Sequence, residues 1–223
     1  MEYGTLQVSS INGSGLINNL LINPEFRINQ RETASPTATV NAYNFDRWYH
    51  DGTFLYQGIE NVNLRNTTYS ISWAGSATCS YSLNAAASTS QNSQSYTSVD
   101  NTGQIVINSL GSNHLWIRFS QAPAWAKVEQ GTASTVFVSR DIVSEQNLCY
   151  RYYERQIAYP QVKGNQYDSN GWYFTFTFRQ FKRVSPTMSA SISQSWPRIS
   201  TSIALATSNS IIDGGWVAAS AEL

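Results

Sequence analysis

Short runs in which apolar and polar residues alternate recur along much of this chain of 223 residues. In residues 68–74, Tyr69, Ile71 and Trp73 fall on one face, and serines fall on the other. Residues 79–83 repeat the pattern. A period of two is typical of a strand that buries one face and exposes the other. The alternation therefore predicts a protein built from half-buried β-strands.

Turn-forming residues separate these runs. Gly75 begins a Gly-Ser step between the first two runs, which predicts a hairpin turn there. Two further runs, at residues 104–108 and 114–119, flank the turn-prone residues 110–113. Several short strands at this spacing favour a β-sandwich of the jelly-roll or Greek-key kind, which we expect over residues 19–140.

Two segments of the N-terminal part do not follow the strand pattern. Residues 1–18 are rich in Gly and Ser, and we interpret them as an arm that attaches to a neighbouring protein, or alternatively as an edge strand. Residues 84–101 are rich in Ser, Gln and Asn around a single aromatic residue, Tyr96. We expect a long surface loop there, and long loops on a rigid scaffold often carry recognition.

Residues 141–156 carry the one convincing helical pattern. Asp141 can cap the first turn, and Glu145 lies near the positive end of the helix dipole. Arg151 and Arg155 lie near its negative end. One stripe of side chains predicts that the helix packs against another element: Leu148, Cys149, Tyr152 and Gln156.

The strand pattern returns after the helix. In residues 171–179, one face carries Trp172 and three phenylalanines, and the other face carries Tyr173 and Arg179. This is the strongest strand signal in the sequence. We therefore expect a second, smaller β-rich domain over residues 141–223, which the chain enters through the helix.

The surface that such a chain can build is unusually neutral. Charged residues make up 13% of the sequence, against about 25% in ordinary globular proteins, and the formal net charge is zero. A neutral chain lacks the attraction that dominates binding to nucleic acid, so we do not expect nucleic acid as a partner. Aromatic residues, also 13%, combine with Ser, Thr, Asn and Gln to provide the contacts found in binding loops. This composition favours an adhesive or particle-bound protein.

The sequence shows neither a membrane span nor an export signal. No run of about 18 apolar residues occurs, and residues 1–4 lack the basic start and apolar run of a signal peptide. We therefore expect no membrane insertion. An adhesin-like composition without an export signal fits a protein that is made in the host cytoplasm and leaves by lysis, within a virion.

Residues for metal or cofactor chemistry are sparse. The two histidines, His50 and His114, have no recognisable ligand spacing, so we expect no metal site. Cys79 and Cys149 are far apart, and we interpret each as a buried apolar residue, with a disulfide as the less favoured alternative. Phosphate loops, dinucleotide fingerprints and nucleophile elbows are absent, so we expect no cofactor.

Acidic residues do not form a recognisable catalytic pair. Glycoside hydrolysis needs two carboxylates on either side of one bond. The 14 acidic residues are scattered, mostly singly, and spacing nominates no pair. Asp46 and Arg47 precede Trp48, for which we predict a structural ion pair beside a core tryptophan. A polysaccharide depolymerase is therefore the least favoured functional alternative.

Five landmarks follow one another along the chain. They are Asn-Leu-Leu-Ile-Asn-Pro-Glu-Phe at residues 19–26 with Gln-Arg at 30–31, Asp-Arg-Trp at 46–48, Lys-Val-Glu-Gln-Gly at 127–131, Cys-Tyr-Arg-Tyr-Tyr at 149–153, and Arg-Val-Ser-Pro-Thr at 183–187. In this order they resemble a module that recurs in bacteriophage tail fibres and related receptor-binding proteins. The resemblance covers the chain from residue 19 to about residue 190.

The resemblance implies a carbohydrate-binding-module-like β-sandwich in a virion tail component that is often a homotrimer. It also implies structural roles for residues within the landmarks, which are Asp46, Arg47, Trp48 and Glu129. It implies no catalytic residue.

We therefore favour a phage tail-fibre or receptor-binding protein that engages a bacterial surface glycan without cleaving it. The candidate contacts are Tyr96 in the expected long loop, Tyr167 and Trp172 near another expected loop at residues 165–171, and Tyr173 and Arg179 on the outer strand face. For Trp172 a place in the core is the favoured interpretation. The alternative from another class is a structural component of the tail or baseplate that docks to other virion proteins through residues 1–18. Repetition of a weak glycan site in a trimer would strengthen attachment without new contacts.

Overall fold

The computed structural model describes residues 19–100, 103–157, 165–168, 171–191, 195–199, 203–208 and 216–223, without the side chains of 157, 165–168, 171–175, 195–199 and 203–208. The predicted N-terminal arm, residues 1–18, lies outside the described residues. The described chain is mainly β-sheet with a single α-helix, which confirms the predicted fold class.

Nine strands precede the helix in the described part of the chain. They are β1 (Ala42–Tyr43), β2 (Tyr49–His50), β3 (Leu55–Ile59), β4 (Thr68–Ala74), β5 (Cys79–Asn84), β6 (Thr97–Ser98), β7 (Gln104–Val106), β8 (His114–Phe119) and β9 (Trp125–Gln130). Two short 3-10 helices, Asn61–Asn63 and Ser88–Ser93, lie between them. The strands assemble into a six-stranded sheet of order β1-β2-β3-β8-β5-β6 and a three-stranded sheet of order β7-β4-β9. All these pairings are antiparallel.

The strand order of the two sheets is that of a jelly roll. From β3 to β9 the chain crosses between the sheets at every connection except the one from β5 to β6, which yields the orders β3-β8-β5-β6 and β9-β4-β7. The remaining jelly-roll position, beside β9, is taken by residues 20–24, which form bends and turns. The Leu20 amide donates to the Val128 carbonyl at 2.7 Å. The Ala126 amide donates to the Pro24 carbonyl at 3.1 Å.

The core lies between the two sheets, as the alternation predicts. In β8, Leu115, Ile117 and Phe119 are completely buried. Tyr69 and Ile71 of β4 belong to the same core and come from the other sheet. Burial of a large apolar side chain contributes about 1.5–3 kcal/mol relative to its exposure. The predicted inward face of β4 is thus confirmed.

One predicted hairpin is instead a crossing between the sheets. Gly75 adopts a φ of 111°, a conformation that favours glycine, so a tight turn does form there. However, β4 pairs with β7 and β9, whereas β5 pairs with β6 and β8. The predicted β4–β5 hairpin is therefore wrong. Turn-forming residues determine that the chain reverses, but the sheet that the next strand joins depends on long-range packing.

Side-chain amides hold the irregular opening segment in place. Asn19 donates from Nδ2 to the Ala126 carbonyl at 2.8 Å and accepts the Val128 amide at 3.0 Å. These bonds satisfy backbone groups of β9 that lack a regular strand partner. The carbonyl of Asn23 accepts the indole N–H of Trp48 at 2.8 Å. Trp48 is completely buried, which confirms the predicted core tryptophan.

The single helix of the described chain, α1 (Ile142–Tyr150), follows the sandwich. Asp141 is its N-cap and accepts the Ser144 amide at 2.9 Å, as predicted. The predicted C-terminal end is wrong, because the helix ends at Tyr150 and a strand begins at Tyr153. Pairing of this strand with a distant segment outweighs the local helical pattern.

Seven strands follow the helix among the residues that the structure describes. They are β10 (Tyr153–Ile157), β11 (Asn165–Asp168), β12 (Gly171–Thr177), β13 (Thr187–Ala190), β14 (Ser195–Ile199), β15 (Ile203–Ser208) and β16 (Trp216–Ser220). They form one antiparallel sheet of order β10-β16-β13 and another of order β11-β12-β15-β14. The chain after the helix is thus rich in β-structure. Its division from the sandwich as a separate domain stays a prediction.

Three details of this part differ from the sequence-based expectation. Residues 165–168 form β11 and not a loop. Strand β12 ends at Thr177, so Arg179 lies in a bend beyond the strand and not on its outer face. Gln156 belongs to β10, whereas the expected helical stripe placed it beside Cys149. Strand pairing between distant segments decides these boundaries. The alternation along the sequence does not show which segments pair.

Buried ion pairs join the last residues of the chain to the sandwich. Arg47 is 1% exposed and pairs with Glu222, which also lies 3.0 Å from Arg31. The Arg47 guanidinium lies 3.7 Å from the centre of the Tyr152 ring. The predicted pair between Asp46 and Arg47 is therefore wrong, and the cation beside Asp46 is Arg31, at 3.9 Å. Asp46 and Arg47 lie in a turn in which Arg47 adopts a φ of 74°, and Arg47 finds its anion in a distant segment of the chain.

We expect Glu222→Gln to destabilise the fold strongly. It would leave the buried Arg47 guanidinium without its anion, and breaking a buried pair in this way costs about 3–5 kcal/mol. Glu32→Gln is the control, because the Glu32 side chain pairs with Arg155 at the surface and is 66% exposed. An exposed pair contributes about 0–1 kcal/mol. Urea unfolding measures both free energies, and equal losses for the two variants would contradict the expectation.

Candidate binding cleft

An open cleft of about 550 Å³ lies where the sandwich, the helix and the C-terminal strands meet. Its lining comes from the segment before β1, from α1, from β10 and from the end of β12. The lining residues are Asn29, Gln30, Glu32, Gln146, Tyr150, Arg155, Gln156, Thr177 and Arg179. Amides are the most frequent groups among them, so the cleft offers many neutral hydrogen-bonding atoms.

The side-chain amides of Asn29 and Gln30 already donate hydrogen bonds to groups within the protein. Asn29 Nδ2 donates to the Thr33 carbonyl at 2.7 Å. Gln30 Nε2 donates to Asp46 Oδ2 at 2.6 Å and to the Tyr153 carbonyl at 3.0 Å. These bonds hold this side of the cleft before a ligand arrives, which lowers the entropy that binding would cost.

On the opposite side of the cleft, the buried Glu154 lies behind the lining residues and hydrogen-bonds to two of them. Its carboxylate is buried and accepts from Lys182 Nζ at 2.7 Å, from Gln156 Nε2 at 2.8 Å and from the Arg179 amide at 3.0 Å. Burial lowers the pKa of the Lys182 ammonium, and the Glu154 carboxylate opposes that shift. Glu154 therefore fixes the positions of Gln156 and Arg179 in the lining.

Two arginines and one carboxylate give the lining its charge. Arg155 pairs with Glu32 at 2.5 Å. The Arg179 side chain is 62% exposed, and its guanidinium donates to the Tyr150 hydroxyl. Its contact with Glu154 is long, at 3.8 Å. Much of the Arg179 guanidinium is therefore available to a ligand.

Two further features suit the cleft to ligand binding. Gln146 of α1 lines it, and the side-chain amide of Gln146 has no hydrogen-bond partner among the described residues. Phe181 is 71% exposed at a second hollow of about 260 Å³, which shares Thr177 and Arg179 with the cleft. An accessible aromatic face beside free polar groups is a common composition of ligand sites.

Of the predicted ligand contacts, Arg179 lines this cleft and Tyr96 does not. The Tyr96 hydroxyl donates to Gln91 Oε1 at 2.7 Å. Its ring lies 5.9 Å from the ring of Tyr56, and the Arg118 guanidinium lies 4.0 Å from its centre. Tyr96 is therefore half-buried against the outer face of the six-stranded sheet, and the segment around it packs there instead of projecting from the sandwich.

The other three predicted contacts lie outside the described side chains. Only the backbone of Tyr167, Trp172 and Tyr173 is described, in β11 and β12. Trp172 is opposite Ser208 and Tyr173 is opposite Thr207 in the pairing of β12 with β15. Their roles as ligand contacts stay predictions.

The residues to which the sequence landmarks assign structural roles are all buried. They are Asp46, Arg47, Trp48 and Glu129, and none of them lines the cleft. Glu129 accepts the Thr135 amide at 2.6 Å and pairs with Lys127 at 2.9 Å. Burial alone would raise the pKa of Glu129, but these two partners lower it below its ordinary value. The contacts fit a role in holding the segment after β9 against the sheet.

Most of the cleft lining carries no signal in the sequence. Glu32 and Gln146 come from separate segments and belong to none of the five landmarks. The hydrogen bond from Gln30 to the Tyr153 carbonyl spans 123 residues of sequence. Apart from the predicted contact Arg179, the indication was compositional, because a chain rich in neutral amides can place several of them in one site.

Metal-ligating side chains do not cluster among the described residues. These residues contain no group of three or more His, Cys, Asp or Glu side chains that could hold a metal ion. Cys79 and Cys149 are buried, as expected, and carry free thiols whose pKa burial raises. In the described part of the chain, no helix has the length and apolar character needed to cross a membrane.

Comparison with known proteins finds no matching family model, no matching curated protein and no matching solved structure. The resemblance to phage tail proteins consequently remains an inference from the five landmarks.

Asp46 accepts a hydrogen bond from the cleft residue Gln30. Ionisation of the Asp46 carboxyl should make the stability of the fold depend on pH. Burial raises the pKa of this carboxyl from 3.8 to about 7, although Arg31 and Gln30 oppose the shift. As pH rises, the unfolded state therefore releases this proton before the folded state does, and the fold loses stability between these two values.

Asp46→Asn cannot ionise and keeps a similar shape. Between about pH 3.8 and about pH 7, the urea midpoint of this variant should rise relative to that of the unaltered protein. A midpoint difference that stays constant across that window would show that Asp46 keeps an ordinary pKa in the folded state.

Proposed function

We propose that this protein is a receptor-binding component of a bacteriophage tail that holds a bacterial surface glycan in the cleft without cleaving it. The observation that carries the proposal is the open cleft of about 550 Å³ with its amide, hydroxyl and guanidinium lining beside the exposed Phe181. The phage setting, and with it a location in the virion, is supported by the five sequence landmarks.

The lining matches the chemistry of a sugar. Sugar hydroxyls both donate and accept hydrogen bonds, and the amide of Gln146 and the hydroxyl of Thr177 can do the same. The C–H face of a sugar ring is apolar and packs well on an aromatic side chain, for which Phe181 is exposed. A glycan would therefore find partners for both its polar edges and its apolar face.

Internal contacts support binding by a site that is already formed. The Gln30 side chain is held by Asp46, and the Arg179 guanidinium is held by the Tyr150 hydroxyl. A ligand therefore need not immobilise these side chains fully, and less of the interaction energy is spent on ordering them.

The acidic groups of the site support holding in preference to cleavage. Glu32 is the one carboxylate among the lining residues described, and it pairs with Arg155. Glu154 is buried behind the lining and accepts from Lys182. Most glycosidases need two carboxyl groups on opposite sides of a sugar bond. A depolymerase would have to find its second carboxylate elsewhere.

An open site of this kind binds a single glycan weakly. We propose that the protein acts as a homotrimer, anchored to other tail or baseplate proteins through residues 1–18. Several cleft copies on one particle would then raise the overall affinity, because each binding event after the first is intramolecular.

A structural role in the tail is the second candidate, and an exposed apolar stretch that leads into the first turn of α1 favours it. The side chains are Val136, Val138, Ile142 and Val143, which are 84%, 47%, 43% and 63% exposed. Exposed apolar patches often mark contacts between proteins. This stretch could be covered in the assembled particle.

Under that second candidate, Val136→Asp should abolish incorporation of the protein into particles, because a carboxylate cannot be buried in an apolar contact. Binding of glycan by the isolated protein should persist. Arg65→Asp, at a distant surface position, is the control. Normal particle incorporation of the Val136 variant would exclude this surface as the linking contact.

Under the favoured function, Gln146→Ala should weaken binding to host-surface polysaccharide by about threefold to tenfold, the value of one net hydrogen bond. Asn147→Ala is the matched control, since Asn147 is exposed on the same helix and does not line the cleft. Calorimetry measures affinity, and thermal unfolding verifies that both variants fold.

Two outcomes would count against the proposal. Failure of the intact oligomer to bind host cells would remove glycan attachment as the function. Equal effects of the Gln146 and Asn147 variants would show that the glycan does not occupy the cleft.

A further inference from the structure

We infer that the cleft selects glycans that carry a carboxylate, such as those that contain a uronic acid. This inference rests on the proposed function and adds the class of glycan. It follows from the charges of the described lining, in which two arginines stand against one carboxylate. One positive charge is left for the ligand to balance.

The carboxylate of the lining is committed to one of the arginines. Glu32 lies 2.5 Å from Arg155, and the Arg155 guanidinium also lies 5.1 Å from the centre of the Trp216 ring. Arg155 and Glu32 therefore form a pair without net charge. The unbalanced charge belongs to Arg179.

The negative charge of the nearby Glu154 does not neutralise Arg179, because it is already neutralised by a closer cation. Lys182 Nζ lies 2.7 Å from Glu154, and both side chains are almost completely buried. A buried carboxylate and ammonium at this distance behave as a neutral unit. The Arg179 guanidinium is farther away, at 3.8 Å, and faces solvent over 62% of its side chain.

The position of Arg179 suits it to receive a carboxylate. Its backbone is held by Glu154, and its guanidinium is held by the hydroxyl and the ring of Tyr150. A guanidinium carries five N–H donors in a plane, and a carboxylate can accept two of them in parallel. A neutral hydroxyl gains no such charge-assisted pair. A sugar carboxylate at Arg179 would also leave the sugar ring near Phe181, which adjoins the same hollow.

Matched probes for this inference are uronic-acid-containing bacterial polysaccharides and their carboxyl-reduced forms. Reduction converts each carboxylate into a neutral hydroxymethyl group and leaves the rest of the polymer unchanged. The full chain should bind the acidic form about tenfold or more tightly, as expected for a charge-assisted pair. Calorimetry at one ionic strength, on oligosaccharides of equal length, measures this ratio.

Two variants should move the ratio in opposite directions. Arg179→Gln should reduce the preference for the acidic form to within about twofold, because its charge is lost. Glu32→Gln should increase the preference by roughly threefold or more, because Arg155 is released to the ligand. Asn147→Ala, outside the lining, should leave the ratio unchanged.

The outcomes separate this inference from the proposal beneath it. Equal affinity of the unaltered protein for acidic and reduced forms would overturn the inference and leave a neutral-glycan site standing. An Arg179 variant that keeps the full preference would also overturn it, because the selecting charge would lie elsewhere. Absence of binding to either form, and to host cells, would instead remove the proposed function.

Discussion

The buried pair between Arg47 and Glu222 is the interaction on which the rest of the arrangement depends. Arg47 belongs to the sandwich and is 1% exposed, so its charge requires an anion inside the protein. That anion comes from a residue 175 positions later in the chain. The ring of Tyr152, which follows the helix, covers the same guanidinium at 3.7 Å. One buried cation therefore joins the sandwich, the segment after the helix and the last residues of the chain.

Residues of four of the five sequence landmarks meet at or next to this junction. Asn23, from the first landmark, accepts the indole N–H of Trp48 from the second. The Arg183 amide, from the last landmark, donates to the Arg151 carbonyl of the fourth at 3.0 Å, and the Arg183 guanidinium donates to the Glu222 carbonyl. These four landmarks thus help to hold the junction together. The cleft lies at the edge of the junction, where interior contacts hold some lining residues and leave others, such as Gln146, free.

Local features of the fold could be predicted because their causes are local. The inward face of β4, with Tyr69 and Ile71, follows from alternation, and the cap of Asp141 follows from the geometry of a first helical turn. The hairpin at Gly75 and the helical end beyond Tyr150 were wrong, because the partners of those strands come from distant segments. Of the cleft lining, only Arg179 was predicted as a ligand contact. The prediction placed Arg179 on a strand, whereas it lies in the bend beyond β12.

By itself, the sequence determined the β-rich class, the inward face of β4 and the cap of the helix, because periodicity and capping are properties of neighbouring residues. Only the tertiary structure decided the partner of each strand, the anion beside Arg47 and the residues that form the cleft. These depend on contacts between segments that are far apart in the sequence, such as the hydrogen bond from Gln30 to the Tyr153 carbonyl, which spans 123 positions. Such contacts form where burial of the whole core brings the segments together, and no short stretch of sequence specifies them.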